Sequence, residues 1–236
     1  MTLRTLFVLS VSALSAVARA ESVDVVIYGA TPGGIAAAVA AAKGGRTVLL
    51  AEPTIRLGGM TTNGLSHPDF RAFEALTGTY LDLTRRTLTY YAEKYGAGSP
   101  QVRDSFRGTH AEPKVNLLMF QQMLAEHPGI TVRMQWTLAD AYVRGAAGHR
   151  WVRAVRFRDA VGGESVWEAK IFIDGSYEGD LIAAARIPYR LGMESREEHS
   201  EPGAPEDGSG RLQGYNFRLT MTRDPALLNP SRIRSP

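Results

Sequence analysis

Residues 25–52 read VVIYGATPGGIAAAVAAAKGGRTVLLAE, and the order of residue types in that stretch decides the fold. Val25-Val26-Ile27-Tyr28 is a short unbroken apolar run, the pattern of a strand covered on both faces. It leads straight into Gly29-Ala30-Thr31-Pro32-Gly33-Gly34. Ile35, Ala38, Val39 and Ala42 then recur at helical spacing in an alanine-rich stretch that stops at Gly44-Gly45. A second strand of buried type, Thr47 to Ala51, closes on Glu52. Strand, glycine loop, helix, strand and terminal acid together make a βαβ dinucleotide-binding unit. Gly29 permits the tight turn, the helix start at Gly33 offers unpaired N–H groups and a positive dipole end to a pyrophosphate, and Gly34 lets helix and strand pack closely. Glu52 is placed to accept hydrogen bonds from an adenosine ribose, and its charge disfavours a 2′-phosphate. Thr31 stands where a second glycine is expected. Its Cβ crowds the pyrophosphate and its hydroxyl offers a hydrogen bond in exchange.

Working outward, Arg56-Leu57-Gly58-Gly59-Met60-Thr61-Thr62 follows the acid with the form R-x-G-G-x-x-T. Paired glycines there let the backbone run close to a bulky cofactor. Strand-like stretches near 138–144, 150–158 and 164–169 precede a further strand, Ala169 to Ile173, that ends in the small-residue turn Asp174-Gly175-Ser176. Gly78 to Tyr95 patterns as an amphipathic helix with Tyr80, Leu81, Leu83, Leu88 and Tyr91 on its core side, and Val115 to Glu126 as another. Thr131 to Trp136 alternates as a half-buried strand and is the expected next parallel member of the sheet. Residues 96–113 read as loop. Residues 187–236 are poorer in apolar residues and show no sustained period.

Composition removes several function classes. The 236 residues include no cysteine, which excludes thiol nucleophiles, CxxC centres, cysteine-ligated clusters and disulfides, so redox chemistry requires a bound cofactor. The formal charge is +3, and its basic residues are scattered singly, without the dense stripe that nucleic-acid binding needs. Residues 1–20 have a short positive start, an apolar run from Thr5 to Val17 and Ala18-Arg19-Ala20 before Glu21, the layout of a cleaved signal peptide. The expectation is therefore an exported protein, periplasmic or extracellular, with no stable membrane anchor after cleavage.

The chain resembles the FAD-dependent oxidoreductase family of exported bacterial flavoproteins. The resemblance runs over residues 23–225 through VVIYGATPGGIAAAVAAA, RLGGMTTNGLSHPDF, HAEPKV, FIDGSYEGDLIAAA, LGMESREEHSE and QGYNFRLT, of which YEGDL and YNFR are the most specific. Gly175 and Met193 depart from the family, which usually has Ala and often has Arg there. The resemblance implies an α/β fold: a Rossmann-like FAD-binding parallel sheet with a β-meander insertion, glutathione-reductase-like in three ββα layers. It implies domains at 21–186 for FAD and 187–236 for the beginning of a substrate domain. Family chains usually run well past YNFR, so the expectation is an N-terminal portion of a longer enzyme, with a loose tail that limited proteolysis strips.

The implied cofactor is FAD, with Gly29, Thr31, Gly33, Gly34, Glu52, Arg56, Gly58, Gly59, Met60, Asp174, Gly175, Glu178 and Asp180 around it. The implied reaction moves a hydride from an unidentified small organic substrate to flavin N5, and a quinone, a small redox protein or oxygen reoxidises the flavin. The segment after the double glycine usually approaches the flavin, which singles out Ser66, His67 and Asp69, with His67 and Asp69 as catalytic candidates. His67 is alternatively a surface loop residue or a covalent flavin attachment point, and Asp69 alternatively turns the chain at Pro68. Glu112 is either a helix-start charge or an active-site carboxylate. Glu197, Glu198 and His199 read as a solvated face rather than a metal site. Two other readings stay open on sequence alone: a non-catalytic nucleotide-binding remnant and an NAD-binding dehydrogenase.

Overall fold

The computed structural model describes residues 20–65, 67–146, 148–212 and 214. The signal-peptide expectation for residues 1–19, Ser66 and the YNFR segment lie outside the described residues. Strand β1 (Glu21–Tyr28) enters helix α1 (Pro32–Lys43), and β2 (Val48–Glu52) follows. Thr31 is the N-cap of α1, with Pro32 in its first turn, where its fixed φ and missing N–H cost nothing. The chain continues through the single turn α2 (Gly59–Thr62), then α3 (Gly78–Tyr95), α4 (Pro100–Asp104) and α5 (Pro113–Ala125). Strands β3 (Ile130–Met134), β4 (Thr137–Ala146), β5 (His149–Arg158) and β6 (Glu164–Asp174) come next, followed by α6 (Asp180–Ala184) and α7 (Arg196–His199).

All six strands form one mixed sheet in the order β3-β2-β1-β6-β5-β4. Strands β3, β2, β1 and β6 run parallel, while β4, β5 and β6 are joined antiparallel. The sequence divides residues 164–174 into a third meander strand and a separate returning strand. The structure makes them one strand. Its first half pairs with β5, from Arg158↔Glu164 to Ala154↔Glu168, and its second half pairs with β1, ending at Tyr28↔Asp174.

Alternation along β1 and β2 explains why both strands are apolar throughout. Val25, Ile27, Val48 and Leu50 face a core built with Ile35, Val39, Leu83, Tyr91, Val115, Met119, Phe120 and Met123 from α1, α3 and α5. Val26, Tyr28, Leu49 and Ala51 face the other way, into a core with Ala141, Val155, Phe157, Trp167, Leu181 and Ala185. The meander and α6 therefore cover the face opposite α1, α3 and α5. The Tyr28 ring stacks 6.0 Å from that of Phe157, and the Tyr28 hydroxyl accepts the Leu138 N–H at 3.3 Å.

The stretch 96–113 is not all loop. Ser99 caps α4 by accepting the Val102 N–H at 3.3 Å, and Pro100 starts the helix. After it, Phe106, Arg107 and Gly108 are left-handed in succession, with φ of 46°, 61° and 83°. The strain is held by packing: Phe106 lies near Phe70 and stacks on His110, and the Arg107 guanidinium sits 3.5 Å from the Phe73 ring centre while binding Glu74.

Candidate functional site

The C-terminal ends of the parallel strands carry the loops that build the site, as expected for an open α/β sheet. Three glycines make the junction where β1, α1 and β6 meet. A Cβ on Gly34 would lie 1.9 Å from the Gly29 carbonyl oxygen, and one on Gly175 would lie 2.8 Å from the same oxygen. The departure at Gly175 is thus a fit: this loop has no room for alanine without a shift.

Thr31 spends its hydroxyl inside the fold. Its hydroxyl donates to the Gly175 carbonyl at 2.7 Å and accepts the Gly34 N–H at 3.2 Å, so its proton ties the first loop to the one after β6 and is not offered to a pyrophosphate. Pro32 has no N–H and the Gly34 N–H is capped, which leaves Gly33 as the first-turn donor of α1 for an anion.

Glu52 is buried, with 6% of its surface exposed. One carboxylate oxygen accepts the Ala30 N–H at 2.7 Å and the other accepts the Thr54 N–H at 2.9 Å. An ionised carboxylate offers about four lone-pair sites, so half its capacity remains for sugar hydroxyls. The acid lines a cleft of about 710 Å³ together with Gly29, Thr31, Arg56, Gly59, Met60, Glu178 and Asp180. That size suits a cofactor.

The other expected cofactor residues are placed differently. Gly33, Asp174 and Gly175 line a shallower hollow that also reaches Thr31, Met60 and Tyr177. Gly34 and Gly58 are packing positions; a Cβ on Gly58 would strike Thr62 at 2.2 Å and Phe120 at 2.9 Å. Asp174 is spent on the chain: it accepts the Ser176 N–H and hydroxyl with one oxygen and the Ile182 N–H with the other. Asp180 sits in an acidic corner, and burial first, then the charges of Glu178 and Asp174, hold its carboxyl above the ordinary range.

Tyr177 was not singled out as a site residue, although it belongs to the YEGDL segment. Its hydroxyl accepts the Met60 N–H at 2.8 Å, clasping the double-glycine turn to the loop after β6, and burial raises its pKa. A Cβ on Gly59 would lie 2.2 Å from that hydroxyl, which is why glycine stands there. The signal that locates Tyr177 is topological: it follows a parallel strand adjacent to β1.

His67 and Asp69 are exposed and are not among the residues that line the cleft. The His67 ring centre lies 4.4 Å from that of His110, whose pKa is lowered by burial and by His67. Glu112 precedes α5 without a side-chain capping bond and pairs with Lys114 at 2.8 Å. Glu198 pairs with Arg190, and no cluster that could hold a metal occurs among the described residues.

A profile of the FAD dependent oxidoreductase family matches residues 24–233. The chain belongs to that family. Membership implies FAD as the cofactor. No curated protein matches the chain. Among solved structures, the chain is similar to THI4 of Thermovibrio ammonificans, at 19% identity and a TM-score of 0.46, over 79% of this chain and 76% of that one. It is also similar to the bacillithiol disulfide reductase Bdr of Bacillus cereus (17% identity, TM-score 0.43, 65% of this chain) and to AlpK (16%, 0.48, 73%). The chain spans 39% of the length of Bdr and 35% of AlpK.

Proposed function

We propose that this family member holds FAD in the 710 Å³ cleft and oxidises a small organic substrate by hydride transfer to flavin N5. The observation that carries the reading is Glu52: a buried carboxylate with unspent lone pairs, anchored by the Ala30 N–H of the glycine loop and exposed to the cleft. Glu52 would hold the ribose hydroxyls, and the Gly33 N–H at the positive end of α1 would hold the pyrophosphate. Bound FAD supplies the electron sink. Tyr177 fixes the double-glycine turn against which the cofactor lies, and His67 and Asp69 are the proposed groups for taking the substrate proton. The fold reading that accompanies this is glutathione-reductase-like, with β4 and β5 as the inserted meander, an FAD domain over 21–186 and a contribution to a substrate domain from 187–236.

Purified protein tests the proposal directly. The expected result is a yellow protein with a flavin spectrum that bleaches anaerobically with substrate, and a colourless protein that does not take up added FAD would refute it. Export is proposed from the character of residues 1–20. Mass spectrometry of exported material should find a mature chain beginning at Glu21, and residues 1–20 intact would overturn that proposal. Among the described residues no helix is long and apolar enough to cross a membrane.

A further inference from the structure

Two neighbouring segments are anchored unequally. Residues 67–77 include no buried side chain, whereas the turn around Phe106 that they pack against is fixed to the body of the fold. Ser105 and Thr109 in that turn are buried, and a Cβ on Gly108 would lie 2.0 Å from the Thr84 carbonyl oxygen of α3. Rings join the two segments. The His67 and His110 ring centres are 4.4 Å apart, His110 stacks on Phe106 at 5.3 Å with 18° between the planes, and Phe106 reaches Phe70 at 6.3 Å. Phe106 and Arg107 are left-handed, so this contact holds the turn against its own backbone preference.

Imidazole is the side chain whose charge changes near neutral pH. The other charged groups on the two segments are paired or exposed: Arg107 binds Glu74, Arg103 binds Asp104 and Lys114 binds Glu112, while Asp69 and Arg71 are exposed. Burial first, and then the charge of His67, hold the His110 pKa below its ordinary 6.5. Two positive charges 4.4 Å apart repel by more than thermal energy even at the dielectric of water.

We propose that His110 is a positioning residue for the segment that carries His67 and Asp69: its ring latches that segment to the turn at neutral pH and releases it when both imidazoles carry a proton. Closed, His110 binds its proton less readily than it does once the rings part, so acid favours the open form. The hold is complete above pH 6.5 and weakens as pH falls below it. Its meaning for catalysis rests on the role proposed above for His67 and Asp69. The latch itself is testable without flavin or substrate, so it and that role can fail separately.

Native-state hydrogen exchange of the full chain, corrected for intrinsic amide rates, tests this at about pH 7.5 and about pH 5.5. The Leu76 N–H bonds the Phe73 carbonyl and the His110 N–H bonds the Ser105 carbonyl, so these amides report on the two sides of the latch. Their protection should fall by up to about tenfold at the lower pH, the limit set by one proton taken up one pH unit below 6.5, while α5 stays protected. His110→Phe keeps a ring against Phe106 that cannot be charged, and His67→Gln removes the facing imidazole at an exposed position. Each should make protection the same at both pH values. The proposal is overturned if the parent's protection is already the same at both, or if either variant, shown by circular dichroism to be folded, keeps the parent's pH dependence.

Discussion

Replacing Glu52 with glutamine changes one oxygen for an NH2 group and almost nothing in size, yet the structure leaves that group nowhere favourable to go. Both carboxylate oxygens accept backbone N–H groups, from Ala30 at 2.7 Å and from Thr54 at 2.9 Å. Whichever way the amide turns, its NH2 meets a donor. One charge-assisted hydrogen bond is lost, about 1.5–3 kcal/mol, and the second becomes an ordinary one. At 6% exposure water is poorly placed to repair the orphaned N–H. The expected loss is therefore about 3 kcal/mol, which in a chain of this size lowers Tm by roughly 6–12 °C. Circular dichroism on ligand-free Glu52→Gln reads this directly. A drop smaller than about 2 °C would show that the carboxylate does not anchor the glycine loop. The same variant, and Glu52→Ala, should retain FAD more weakly by roughly 1.5–3 kcal/mol for each ribose bond lost, measured by flavin fluorescence titration. Loss of stability without loss of FAD affinity would remove the ribose assignment and leave the structural role standing.

Gly34→Ala should prevent the protein from folding or cost several °C, because its Cβ would meet the Gly29 carbonyl, whereas Gly33→Ala, whose nearest neighbour would be 3.7 Å away, should be within about 1 kcal/mol of neutral by thermal melt. Tyr177→Phe keeps the ring but not the acceptor for the Met60 N–H; FAD retention should fall severalfold, and an unchanged dissociation constant would show that the clasp has no part in cofactor binding. Asp24, which binds Lys170 and Thr47, has its pKa lowered from 3.8 to about 2, so its stabilisation is complete above pH 3.8 and disappears as pH falls through 2. Asp24→Asn should flatten the unfolding curve between those values; a variant whose midpoint tracks the parent's across that window would count against the assignment.

The βαβ unit was legible because each of its parts is set by local chemistry: apolar runs where both faces are covered, glycine where the loops touch, and an acid where the second strand ends. The helix at Gly78–Tyr95 was legible for the same reason, from its apolar stripe. The continuity of β6 was hidden by its partners. Its exposure changes character along its length because Glu164 to Val166 pair with β5 alone, Trp167 and Glu168 lie between β5 and β1, and the rest pairs with β1 alone, so no single alternation runs through Ala169-Lys170. The first turn of α4 carried a readable signal in Ser99-Pro100, outweighed by the surrounding glycines and polar residues. Thr31 shows a different limit. Its type and position suggested a contact with phosphate, but the partner its hydroxyl takes, the Gly175 carbonyl, is distant in sequence and exists only once the sheet has closed.

That closure has a consequence for how the chain acquires its fold. Strand β1 pairs with β2 soon after it in sequence, but its other edge waits for β6, where Glu21 meets Trp167 and Tyr28 meets Asp174. While the chain emerges from a ribosome, everything between must appear before that edge is covered. For that interval Val25, Val26 and Ile27 present one unpaired edge of a strongly apolar strand to whatever lies nearby. Slow closure of so distant a pairing makes this the step most exposed to aggregation. A chaperone that holds the nascent chain would find its natural handle at the same strand that later carries the nucleotide loop.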